Sequence, residues 1–194
     1  MPNKLNFKVF CTIAWIMSAA IGALAQSARA EAITVGDMAP DFTLSDSAGK
    51  KVTLSDAIKE APVVLIFYRG YWCPFCAHQL SDLRDLLGKT DKARMYAVSI
   101  DPSGKTNEMI KKIEADGKGK ITYSFLSDPG AKTIDAYGLR DPRYQDQKFD
   151  GIPYPTVYVI GRDRKVAWSK PERDYKMRPT NTEIRAEIEK LAMK

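Results

Sequence analysis

Arg69-Gly70-Tyr71-Trp72-Cys73-Pro74-Phe75-Cys76 is the stretch on which the reading of the chain turns. Six apolar residues, Val63 to Tyr68, run into it, and after it Cys76, Leu80, Leu83 and Leu87 recur at helical spacing until Gly88. The β-branched run predicts a buried central strand and the spacing predicts a helix, so the cysteines fall at a strand-to-helix turn. At a helix start, unpaired N–H groups and the positive end of the macrodipole favour a thiolate at Cys73. Cys76 lies one turn on, within reach of a disulfide. The pair reads as a reversible two-electron couple, with Cys73 attacking and Cys76 resolving.

With 194 residues, 44% of them hydrophobic, the chain suits one domain with a leader and needs no disulfide staples. The formal charge of +6 is partly the leader's, because Lys4, Lys8 and Arg29 lie there. The densest basic run, Arg162 to Arg178, is broken by Asp163, Glu172 and Asp174, which is the pattern of a solvated surface and not of a nucleic-acid track. Residues 1–30 have the three parts of a secretory signal: Lys4 and Lys8, an apolar core from Val9 to Ala25, and Ala28-Arg29-Ala30. The mature domain is expected to span 31–194, exported to a periplasm. An uncleaved single-span anchor is the competing reading and the only expected membrane contact. Cys11 lies in that leader, so the domain keeps only Cys73 and Cys76. Joining them closes a very short loop and adds little stability, which points to chemistry.

In chain order, Gly36 to Leu44 and Lys51 to Leu54 predict a hairpin around Gly49, and Ser55 is expected to cap a short helix through Lys59. Met95 to Ile100 predicts the next buried strand, followed by a helix carrying Met109, Ile110 and Ile113 and closed near Gly117. Ile121, Tyr123 and Phe125 alternate as a strand, and Asp128-Pro129 to Gly138 carries start and stop signals for a helix. Leu139 to Pro155 is long, polar and proline-rich, as functional or mobile loops are. Thr156 to Ile160 and Lys165 to Trp168 predict a hairpin, and Thr180 to Glu183 is a capping box for a last helix bearing Ile184, Ile188 and Leu191. This order predicts an α/β domain, a mixed central β-sheet with helices on both faces and an N-terminal β-hairpin extension.

Gly36 to Leu44, Tyr68 to Cys76 and Pro155 to Ile160 together resemble the alkyl hydroperoxide reductase and thiol-specific antioxidant family, the peroxiredoxin-like branch of the thioredoxin-like fold, over Ile33 to Ala192. Trp-Cys-Pro-x-Cys is equally similar to exported thioredoxin-like disulfide reductases, and the Pro-Phe pair to glutaredoxins. The resemblance implies a hydroperoxide or a protein disulfide as substrate, a thioredoxin-like electron donor and no cofactor. Peroxiredoxins carry a threonine three residues before the attacking cysteine, where this chain has Gly70. They also carry an arginine just before the late strand, where it has Pro155. Both polar partners are missing from those positions. Proline there is the thioredoxin pattern, which implies a cis Tyr154–Pro155 bond with backbone free to pair with substrate. Thioredoxin-like proton shuttles are absent too, since Phe67 and Gln79 occupy their places.

Four further residues have two readings each. His78, the only histidine, could accept a proton near neutral pH or be an exposed helix residue. Arg69 could add positive charge near Cys73 or be solvated. Trp72 and Tyr71 could form a docking surface or pack on the loop from Leu139 to Pro155. A metal site from Cys73, Cys76 and His78 lacks a fourth ligand and the usual spacing, so none is expected. Beside disulfide exchange and peroxide reduction, the third function is a non-enzymatic redox sensor or binding module.

Overall fold

In the computed structural model, which describes residues 31–87 and 93–192, seven strands form one mixed sheet. The chain opens with a hairpin, β1 (Thr43–Asp46) and β2 (Lys51–Thr53), followed by α1 (Leu54–Glu60), β3 (Val63–Phe67) and α2 (Pro74–Asp82). Next come β4 (Arg94–Ser99), α3 (Ser103–Glu114), β5 (Ser124–Ser127), α4 (Lys132–Ala136), β6 (Thr156–Ile160), β7 (Val166–Pro171) and α5 (Asn181–Ala192). The strand order is β2-β1-β5-β4-β3-β6-β7, with β3 parallel to β4 and antiparallel to β6. The leader, Cys11 within it, and the stop at Gly88 lie outside the described residues; among those described, no helix is long and apolar enough to cross a membrane.

β3 is buried at all five positions because it sits between two apolar layers. Alternation sends Val64 and Ile66 to one face, with α2, α3 and α5, and Val63, Leu65 and Phe67 to the other, with α1 and α4. Each such side chain contributes about 1.5–3 kcal/mol on full burial. Cys73 and Cys76 belong to the first layer, packed among Leu80, Met109 and Val157. The turn that carries them therefore grows directly out of the most buried strand of the sheet.

Several local expectations shift. Thr53, not Ser55, is the N-cap of α1, because the helix already begins at Leu54; Thr53 makes no side-chain cap bond, and the Asp41 carboxylate accepts the Ser55 N–H at 2.9 Å. Ile121 and Tyr123 precede β5 and do not form part of it. The start signal at Asp128 acts from a distance: Ala131 is left-handed (φ 53°), α4 begins at Lys132, and the Asp128 carboxylate accepts the N–H groups of Thr133 and Ile134. The capping box holds as read, with the Glu183 carboxylate accepting from the N–H and hydroxyl of Thr180. The Tyr154–Pro155 bond is trans, contrary to expectation. The backbone there is used by the chain itself: the Pro155 carbonyl accepts the Glu172 N–H, and the Tyr154 carbonyl accepts the Thr156 hydroxyl.

Candidate active site

The turn after β3 is shaped by backbone constraints. Gly70 sits at φ +152°, and a Cβ there would stand 2.8 Å from Trp72 Nε1 and 3.2 Å from Asp101 Oδ1. Asp101, buried at the end of β4, accepts the Tyr71 N–H at 2.7 Å and the Ser99 hydroxyl at 3.0 Å. Burial raises its carboxyl pKa, opposed by those hydrogen bonds. Pro74 at the first helical position completes the start of α2, whose N-cap is Cys73.

Cys73 Sγ accepts the Cys76 N–H at 3.4 Å and lies 2.6 Å from Cys76 Sγ; both are free thiols. The Cys73 pKa falls to about 6, above all because the Cys76 thiol donates to it. Burial opposes the fall, while the Cys76 N–H, Arg178 and Arg69 support it. Burial pushes the Cys76 thiol up, and the hydrogen bond to Cys73 holds its proton in place. Helix position thus contributes through one N–H, and the resolving thiol is the larger activator. The asymmetry fits an attacking thiolate beside a protonated partner.

Arg69 is not solvated: it is 4% exposed, and its guanidinium lies 4.5 Å from the ring centroid of Tyr175, 4.9 Å from Trp72 and 5.1 Å from Tyr144. It also donates to the Tyr144 hydroxyl. Arg178, which the sequence reading placed in a solvated basic run, donates from Nη2 to Cys76 Sγ at 3.5 Å. Positive charge missing ahead of β6 thus arrives from the loop before α5, 102 positions from Cys76 in the chain. No local pattern signals such a contact, and a basic loop residue reads as surface until the fold returns it.

Trp72 lies against Phe149 with centroids 4.7 Å apart and the ring planes tilted by 32°, so it packs on the loop between Leu139 and Pro155. That loop is ordered by ion pairs, Arg140 with Asp135 and Asp150 and Arg143 with Asp141. Tyr71 lies beneath the Lys105 ammonium, 4.8 Å from its centroid. His78 turns away from the thiols: its side chain is 81% exposed and its Nδ1 pairs with Asp82 at 3.0 Å. It neither joins the cysteines as a ligand nor faces them as a base, because two residues along α2 from Cys76 is about half a turn, which carries the side chain to the opposite, solvent face. Pro155 is buried one residue before Thr156, which registers with Phe67, and so lies at the same end of the sheet as the cysteine turn. Beside the turn, Phe75, His78, Gln79, Met177 and Arg178 line a cavity of about 630 Å³.

The chain is 28% identical over 140 residues to 1-Cys peroxiredoxin A of Oryza sativa subsp. japonica, a match spanning 71% of this chain and 63% of that protein. It is 28% identical over 167 residues to the thiol-disulfide oxidoreductase ResA of Bacillus cereus, spanning 84% of this chain and 86% of that one. Its fold matches the crystal structure of the C45S mutant of peroxiredoxin 6 of Arenicola marina with a TM-score of 0.73 at 22% identity, covering 82% of this chain and 74% of that one. The AhpC/TSA family pattern matches residues 35–169, more than half of the chain and all of the cysteine turn, and the chain belongs to that family.

Proposed function

We propose that this chain is a thiol–disulfide oxidoreductase built on a peroxiredoxin-like scaffold. The observation that carries this reading is the buried Cys73–Cys76 pair, with a depressed pKa on the first thiol and a retained proton on the second. The Cys73 thiolate attacks one sulfur of a substrate disulfide, forms a mixed disulfide and releases the other substrate sulfur as a thiolate. Cys76 gives up its proton and attacks Cys73, closing the internal disulfide and freeing the second substrate sulfur. Two electrons pass to the substrate. A thioredoxin-like donor restores the dithiol by the same exchange in reverse. Gly70 leaves no side-chain hydroxyl where a peroxide would be held, which favours disulfide exchange.

Peroxide reduction is the second reading, and the two guanidinium groups that lower the Cys73 pKa favour it. In that case Cys73 takes one oxygen as a sulfenic acid, releasing water or an alcohol, and Cys76 condenses with it with loss of water. Reduced wild type, Cys73→Ser and Cys76→Ser, each mixed with hydrogen peroxide and with a protein disulfide, distinguish the two. Disulfide exchange expects Cys76→Ser to trap a mixed disulfide and to consume peroxide slowly. Fast peroxide consumption that leaves Cys76→Ser as a sulfenate overturns it. Retained partner binding by Cys73→Ser, with neither oxidant turned over in wild type, would instead make the protein a redox sensor. Export belongs to the same proposal and rests on the Lys4-to-Ala30 leader; fractionation of the full chain tests it, a cytoplasmic product counting against it.

A further inference from the structure

Cys73 is 1% and Cys76 0% exposed, so a substrate reaches the reduced pair only during transient openings of its cover. Part of the cover is segment 173–178, between β7 and α5. Its flanks are tied by the Glu172 N–H to the Pro155 carbonyl and the Thr180 N–H to the Glu183 carboxylate. Between those ties the main chain bonds mostly to its own turn at Asp174 and lends the Arg173 carbonyl to Arg143. Two side chains seat the segment on the site. The Tyr175 ring stands edge-on to Phe75, centroids 5.7 Å apart, and against the Arg69 guanidinium. Arg178 reaches Cys76 Sγ while its Nη1 holds the Tyr175 and Met177 carbonyls.

Closure carries a cost. Arg178 Nε and Gln79 Nε2 are buried with no hydrogen-bond partner among the described residues, which opposes the closed state. Arg178 is offset by negative charge on the sulfur pair, and that charge exists only in the reduced form. We propose that Arg178 couples the redox state of the pair to segment 173–178, which closes over the dithiol and is released over the disulfide. This rests on the reading of Cys73 and Cys76 as a dithiol–disulfide couple.

The charge balance follows from the exchange itself. The reduced pair holds one thiolate and one thiol; a Cys73–Cys76 bond forms, the substrate disulfide breaks, and the substrate leaves with both electrons, the proton and the negative charge. Arg178 then faces a neutral disulfide, with its own Nε and that of Gln79 still unpaired. Release frees the face of Phe75 held by Tyr175, on a side chain already 38% exposed, and uncovers the Arg69 side of the turn, the face an electron donor must approach to attack the disulfide. The other ionisable side chains lining the cavity, His78, Asp82, Asp85 and Lys176, take no part in the thiol–disulfide exchange.

Trypsin cleavage after Arg173 and Lys176, followed by mass spectrometry of the fragments, tests this on the intact chain in reduced and oxidised forms, with the redox state fixed by thiol titration. Cleavage is expected to be roughly tenfold faster in the disulfide form, within the usual range of coupling between sites. Arg178→Gln should make the reduced protein cut as fast as the oxidised one. By reciprocity it should also shift the equilibrium with a thiol–disulfide buffer several-fold toward the protein disulfide, a change that a merely structural loop residue does not produce. Equal cleavage in the two states, or an Arg178→Gln protein with unchanged rates and unchanged equilibrium, overturns the proposal. Failure of the thiols to disappear under oxidant overturns the couple itself, a result distinguishable from either.

Discussion

Two arginines are buried among the described residues, and they are used in opposite ways. Arg84, after α2, donates to both oxygens of Asp116, to the Gly119 carbonyl and to Ser81, tying the end of α2 to the end of α3. Its charge is neutralised where it sits, and in return the Asp116 carboxyl is held well below the usual carboxylate range by Ser81 and Arg84. Arg69 has no carboxylate partner among the described residues; three aromatic rings and the Tyr144 hydroxyl surround it. Its charge contributes, after the Cys76 thiol, the Cys76 N–H and Arg178, to lowering the Cys73 pKa. Quadrupoles of aromatic faces hold a cation without cancelling its field, so a cage of rings can retain a guanidinium and leave it electrostatically active. The difference sets an arginine whose charge is paired in place against one whose charge remains to act on its surroundings.

The comparison predicts effects of decreasing size. The largest falls on the sulfur pair itself. In Cys76→Ala the thiol that donates to Cys73 is gone, and the Cys73 titration, followed by thiolate absorbance or by alkylation rate against pH, should move from about 6 toward the ordinary value near 9. That is as much as about a thousandfold in proton affinity. A midpoint still near 6 would return the main role to the helix start. The sign of the pH dependence follows from the same shift. A thiol whose pKa is lowered by folding favours the folded, reduced protein above about pH 9, and this contribution is lost as the pH falls through about 6. Cys73→Ala should flatten that part of the stability–pH curve.

Arg84→Met should lower the thermal midpoint by roughly 5–10 °C, since it removes a buried hydrogen-bonded network at a helix junction, and should leave the Cys73 titration where it was. Arg69→Met should do the reverse. Removing a buried cation that lacks a carboxylate changes stability little, while the Cys73 midpoint rises by about a unit or less, read in the same alkylation series. If Arg69→Met unfolds the domain as readily as Arg84→Met, the distinction between the two arginines fails. The smallest effect is expected at His78→Ala, with disulfide-exchange rates at pH 6 to 8 within about twofold of wild type, because the side chain is exposed and paired with Asp82. A larger loss would bring the histidine back into the reaction.

Local signals were read where the physics is local. Val63 to Phe67 is a strand because an apolar β-branched run is stable only between two layers, and Thr180 with Glu183 caps α5 because both partners lie within one turn. At the start of α1 the carboxylate that accepts a first-turn N–H, Asp41, sits 14 residues before Ser55, beyond any local pattern. At Tyr154–Pro155 the deciding partner of the Pro155 carbonyl was Glu172, on the far side of a hairpin. Sequence patterns carry turns and periodicities well; they carry little about which distant donor satisfies a given carbonyl.

What the sequence determined by itself was the couple: Cys73 and Cys76 one helical turn apart, at the end of a buried strand, in an alternating order of strands and helices that has few ways to close. These are contacts between residues close in the chain, fixed by backbone geometry. What only the tertiary structure decided was the electrostatic setting of that couple. Arg178 reaches Cys76 from 102 residues away. The rings around Arg69 come from Trp72, Tyr144 and Tyr175, three separate segments of the chain. His78 lies two residues from Cys76 and faces solvent. Coulombic interactions depend on distance through space and on burial, and neither is written in the order of the residues.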